Sequence, residues 1–100
     1  MKNEEYVIFL KSVLVKIENV INLLPKHVLA YHKMLGVQQK LSELGQDDRN
    51  KMFSQLVTSR SVISYLLNAR YYEAEVQILK LKKDIIKICV DIEKNEKDSD

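Results

Sequence analysis

One hundred residues, 46% of them apolar, with two glycines and one proline, suffice for a single domain with a core and exclude a disordered chain. Sixteen basic residues against fourteen acidic ones leave a formal charge of +2, too small to demand an acidic partner. No run of about 18 uninterrupted apolar residues occurs, so no membrane-spanning helix is expected.

The chain reads as an all-α protein, a small antiparallel four-helix bundle. The first helix is expected over 4–24. Its stripe, Tyr6, Leu10, Val13, Ile17, Val20 and Leu24, recurs at steps of three and four and so falls on one side of a helix. Asn3 can cap it, and Glu4 and Glu5 suit the positive end of the helix dipole. Pro25 stops it, because proline has no N–H and disfavours helical geometry before it. The second helix is expected over 26–44, with the stripe Ala30, Met34, Val37, Leu41 and Leu44. Gly36 reads as a tolerated glycine within it.

Gly45-Gln46-Asp47-Asp48 is the clearest punctuation. Gly45 fits a left-handed position after the helix, and Asp47 or Asp48 can cap the next one. The third helix is expected over 48–67, with Met52, Phe53, Leu56, Val57, Ile63, Leu66 and Leu67 inward. The fourth is expected over 71–94. Its seam, Tyr71, Ala74, Ile78, Leu81, Ile85, Ile88 and Ile92, has the 3.5-residue mean spacing of coiled coils. Residues 1–94 form the domain, and 95–100 are a polar tail expected to fray. Between the third and fourth helices, Asn68-Ala69-Arg70 has neither Gly nor Pro. Asn68 in the left-handed conformation gives a short turn there. The alternative fuses the two into one helix of about 45 residues, roughly 68 Å long, satisfied only in a dimer. The turn is the expectation.

Chemistry is sparsely written. His27 and His32 lie five residues apart and point in different directions on a helix, so they share no metal. There is no Glu-x-x-His motif, no Gly-rich phosphate loop and no nucleophile motif. Asp84 and Asp91 belong to the solvated, charge-laced side of the fourth helix beside Lys80, Lys87 and Lys94. Cys89 sits among apolar residues and reads as a buried, inert thiol. No catalytic residue, metal site, cofactor or small-molecule substrate is expected, and the protein is not expected to be an enzyme. The start, with Glu4 and Glu5 followed by Lys11 and Lys16, does not read as a secretory leader, so a cytoplasmic location is expected. Abundant Lys, Ile and Asn suggest an AT-rich bacterial or phage genome.

Two stretches carry a resemblance. Leu66–Ala74, with Tyr65, Tyr71 and Ala74 around a short turn, resembles the interhelical turn of tetratricopeptide repeats, which implies a helical hairpin. The stretch Met52–Asn68, within residues 48–68, resembles a helix-turn-helix whose second helix begins near Thr58. That resemblance implies a DNA-binding regulator in which Thr58, Ser59, Arg60, Ser61 and Ser64 face the nucleic acid. Phe53 and Val57 stand where that motif has small residues.

The other functional expectation rests on surplus apolar surface. A bundle helix needs about three apolar positions per heptad for its core. The first helix adds Val7, Leu14 and Ile21 to its stripe, and the fourth adds Tyr72, Val76, Leu79, Ile86 and Val90. A patch of this kind marks an interaction site. The leading expectation is a non-enzymatic protein-binding module without a membrane role, whose partner is another protein or a second copy in a homodimer. Small chaperones, immunity proteins and phage- or plasmid-encoded inhibitors share this size and helical make-up.

Overall fold

The apolar stripes become the inner walls of one bundle. The computed structural model describes residues 2–98 and consists of α1 (Asn3–Asn22), α2 (His27–Ser42), α3 (Gln46–Lys51), α4 (Phe53–Leu67) and α5 (Tyr71–Asp98). There is no strand among the described residues. The helix α1 packs on α2 and α5, and α4 packs on the same two, which closes a square around the core; the short α3 leans on α4. The core is built from Leu10, Val13, Ile17 and Val20 of α1, Ala30, Met34, Val37 and Leu41 of α2, Val62 of α4 and Ala74, Ile78, Leu81 and Ile85 of α5, all without solvent exposure. Burying side chains of this size contributes about 1.5–3 kcal/mol each before the entropy of ordering is subtracted.

Two ion pairs fix the relative direction of α1 and α5. Lys11 Nζ lies 3.1 Å from Glu93 Oε1, and Lys82 Nζ lies 2.8 Å from Glu18 Oε2. As the numbering rises along α1 it falls along α5, so the two are antiparallel. These exposed pairs record the register; each contributes at most about 1 kcal/mol. The same register sets the start of α5 beside the end of α1 and the turn into α2. There α2 and α5, parallel and diagonal to one another, bring their first residues together. The rings of His27 and Tyr71 stack with centroids 3.3 Å apart and planes 8° apart.

The turn expected between the third and fourth helices is present, so the fused 45-residue helix does not form. It is Ala69, not Asn68, that takes the left-handed conformation, with φ 59°. The Arg70 N–H donates to the Tyr65 carbonyl at 2.8 Å and the Ala69 N–H to the Leu66 carbonyl at 3.3 Å. That pair of bonds closes a Schellman motif. The Arg70 guanidinium then lies over the Tyr65 ring, 5.3 Å from its centroid.

Other expectations need correction. The third helix breaks at Met52, where φ −101° and ψ 17° leave the helical region while the side chain is fully buried. None of the six polar residues of α3 is buried as a whole, and the fully buried Met52 anchors that end. Gly45 is the extended residue before α3, with φ −64°, rather than a left-handed cap, and no Asp side chain caps this helix. Phe53, Val57 and Leu67 are exposed; Met52, Leu56, Val62 and Leu66 take the inward places. The fourth expected helix, α5, runs past Lys94 to Asp98, because nothing in 95–98 is a strong breaker and Glu and Lys favour helix. Residues 95–98 are therefore helical; Met1, Ser99 and Asp100 lie outside the described residues.

Two backbone positions give testable stabilities. A Cβ at Gly36 would meet nothing within 4 Å. Gly36→Ala is therefore expected to stabilise the fold by about 0.5–1 kcal/mol. Ala69→Gly relieves an L-residue held at positive φ, and is expected to add about 0.5–1 kcal/mol. Urea unfolding of the two single variants and their combination checks both; a loss of stability in either would contradict the local geometry.

Candidate protein-binding face

The helix α5 is apolar twice. At about 100° per residue, its buried seam lies on one side, and Tyr72, Val76, Leu79, Lys83, Ile86 and Val90 lie about 160° away. These six follow one another at steps of four and three, the a/d spacing of a coiled coil. The helices α1 and α4 cover the inner side of α5, and nothing in the bundle covers the outer side. All six outer residues are exposed, Tyr72 to 77% and Val90 to 56%. The row spans about 27 Å at 1.5 Å per residue.

At its Tyr72 end the row meets a cleft of about 510 Å³, lined by Ile21, Leu24, Pro25, His27, Tyr71, Tyr72, Glu75 and Leu79. The stacked His27–Tyr71 pair forms its wall, and Tyr72 and Leu79 belong to both cleft and row. Glu73, nearby in the first turn of α5, accepts from its own backbone N–H and from Arg70 Nη2 at 3.0 Å, and these donors hold its carboxyl below the ordinary value. The cleft thus continues into the exposed row of large apolar side chains through Tyr72 and Leu79.

The other exposed large apolar residues are spread over α1, α2 and α4. Ile8 and Val15 lie on α1 and Val28 and Leu29 on α2, and Leu35 of α2 lines a second cleft, of about 400 Å³, with Gln38, Gln39, Arg60 and Ile63. Phe53, Val57, Arg60, Ser64 and Leu67 make a second row on α4, but its middle is polar, so its apolar ends stand apart.

Of the seven residues expected to bind a partner, Tyr72, Val76, Leu79 and Ile86 lie together on the outer face of α5. Val7, Leu14 and Ile21 do not join a free face. Val7 is buried, and Leu14 and Ile21 are half-buried against the core. They lie on the side of α1 that carries Lys11 and Glu18, where α5 covers them. Only Ile21 reaches the cleft. Lys83 and the cleft residues Leu24, Pro25, His27, Tyr71 and Glu75 were not among those expected to bind a partner. The steps of four and three from Tyr72 to Val90 carried the signal, with a lysine in one of the places.

The residues of the helix-turn-helix resemblance are placed differently. The helix α4 runs unbroken through Val57 and Thr58, where that motif needs its turn. Thr58 and Ser59 are buried, and Ser61 is half-buried. The Thr58 hydroxyl donates to the Ser54 carbonyl at 3.0 Å, the Ser59 hydroxyl to Leu56 at 2.8 Å and the Ser61 hydroxyl to Val57 at 3.1 Å. Only Arg60 and Ser64 are exposed. Ser59 is buried because a small side chain fits where α4 meets Gln38 of α2. The five side chains therefore do not share one exposed surface.

Among the described residues no group of three or more His, Cys, Asp or Glu side chains is placed to hold a metal ion, and no helix is long and apolar enough to cross a membrane. No protein-family model matches the chain, and neither the curated proteins nor the solved structures include a match to it.

The opposite end of the bundle holds a smaller cavity of about 240 Å³, lined by Asn3, Tyr6, Asp48, Lys51, Met52, Ile88 and Ile92. Burial, reinforced by the nearby Asp48 carboxylate and then by Cys89, pushes the Tyr6 phenol up to about 12. The Cys89 thiol is also pushed up, by burial first and Glu93 second, against the opposing influence of Lys11. Between the ordinary tyrosine value and about 12, the folded protein keeps a proton that the unfolded chain has released. The corresponding stability is complete below pH 10 and is lost as pH rises towards 12, by up to about 2–3 kcal/mol. Urea midpoints across this range should fall more steeply for the protein than for Tyr6→Phe; parallel curves would contradict the burial of that hydroxyl.

Proposed function

We propose that this protein is a non-enzymatic binding module that presents the outer face of α5 to a helix of a partner polypeptide. The observation that carries the reading is the row Tyr72, Val76, Leu79, Ile86 and Val90, five large apolar side chains left in water on one face of one helix. Monomeric proteins rarely leave a contiguous apolar strip of this length uncovered. The strip lies on a rigid element, since the opposite side of α5 is locked in the core, so little ordering entropy opposes docking. The cleft beside Tyr72 gives a partner helix a place for one large apolar side chain, which fixes where along the row it sits. Regulators of this kind act by occupancy: a covered helix, chain terminus or interface of the partner can no longer engage elsewhere.

The test is a photo-crosslinking amino acid at Leu79, Ile86 or, as a control on another exposed face, Val28. In native cells, an adduct of one discrete mass is expected from Leu79 and Ile86 and not from Val28. Tyr72→Ala combined with Val90→Ala is expected to lower its yield at least tenfold, since truncating each anchor at an interface costs about 1–2 kcal/mol. Because both residues are exposed, thermal unfolding should barely move. Equal adducts at all three positions, or none at the α5 positions, would contradict the reading.

A further inference from the structure

Charge along the outer row of α5 narrows the partner, and this step rests on the reading just given. Lys83 occupies a seam position in the middle of the apolar row. Lys80, Lys87 and Lys94 recur every seven residues and line one flank of it. All four are exposed, and none makes an ion pair among the described residues. By contrast, Lys11, Lys40 and Lys82 each meet a glutamate. The other flank carries Glu75, Lys82, Cys89 and Glu96, of which Lys82 is engaged with Glu18 and Cys89 is buried. The unengaged lysine charge on this face thus runs along one edge and through its centre.

We infer that the face binds an acidic amphipathic helix of another protein. That helix carries apolar residues at its own a and d positions, a carboxylate where it meets Lys83, and further carboxylates along the edge facing Lys80, Lys87 and Lys94. A lysine taken out of water between two apolar surfaces needs a carboxylate to compensate its lost hydration. A lone polar residue in a hydrophobic seam is also a known means of choosing partner and register. The flanking lysines steer an acidic helix and repel a basic one.

A second copy fits this face poorly. Parallel pairing of two α5 helices sets Lys83 against Lys83 of the second copy inside the seam. Antiparallel pairing centred on the row removes that clash but sets Lys80 beside Lys87 of the second copy, twice. Like charges in these positions oppose association.

Two synthetic helical peptides of about three heptads each test the inference. They share one Leu/Ile seam. One has Glu at the flanking positions and at one central seam position; the other has Lys at the same places. Binding to the whole protein is followed by fluorescence anisotropy, and self-association by sedimentation. The Glu peptide is expected to bind, more weakly as salt rises from about 50 to about 200 mM, while the Lys peptide does not. Lys83→Glu is expected to weaken the Glu peptide at least tenfold and to admit the Lys peptide. Lys80→Glu with Lys87→Glu should act in the same direction, and Lys33→Glu on α2 should change nothing. Circular dichroism verifies that each variant is folded. Equal binding of both peptides, insensitive to Lys83→Glu, would overturn the inference while leaving the outer face a binding surface. So would a dimer that dissociates in Leu79→Asp. Binding of neither peptide would also overturn it, while the adducts at Leu79 and Ile86 decide the broader reading separately.

Discussion

A helix at the corner of a four-helix square can bury only the side that faces its two neighbours and the core between them. The helix α5 carries apolar side chains on that side and again on the side opposite. Ala74, Ile78, Leu81 and Ile85 satisfy the bundle completely, with no exposure left. Tyr72, Val76, Leu79, Ile86 and Val90 are then surplus to the fold. The binding role proposed for α5 descends from that geometric limit. The row is apolar although its own bundle has no use for it, and covering it would return the free energy of apolar burial, about 25 cal/mol per Å², less the cost of association.

The remainder of the architecture serves to hold this face in place. Pro25 follows the end of α1 closely, and α5 begins beside that turn. The stacked rings of His27 and Tyr71 join the starts of two diagonal helices. The cleft exists because the α1–α2 turn and the first two turns of α5 meet there without filling the space between them. Lys11–Glu93 and Lys82–Glu18 lie along the α1–α5 boundary and record the register between the two helices. The lysines of the outer face, in contrast, form no ion pair among the described residues. A charge without an ion-pair partner in its own fold is available to select one elsewhere.

Much of the fold was legible because the stripes on three of the long helices obey one spacing rule. All five stripe residues expected of the second helix are buried, as are the first five of the six expected of the first. What the spacing does not encode is how many neighbours a helix has. Val7, Leu14 and Ile21 look like surplus until α5 is seen to cover that side of α1. Polarity misleads in both directions on α4. Ser59 is polar and buried because its small size suits the contact with α2, whereas Phe53 is aromatic and exposed. The break at Met52 and the left-handed Ala69 use residues without special backbone freedom. They follow from what must be buried on either side, so local propensity gave no warning of them. The outer row of α5 was half legible: its apolar members stood out, but Lys83 disguised the continuity of the pattern.

The role proposed for α5 requires its outer side to be open in the isolated molecule. Methyl-resolved NMR of the purified protein, titrated with a soluble paramagnetic agent, measures that side chain by side chain. The methyl signals of Val76, Leu79, Ile86 and Val90 should broaden strongly, while those of Ile78, Leu81 and Ile85 stay sharp. Equal protection of the two sets would mean that the second face is already covered, and the central claim would be wrong.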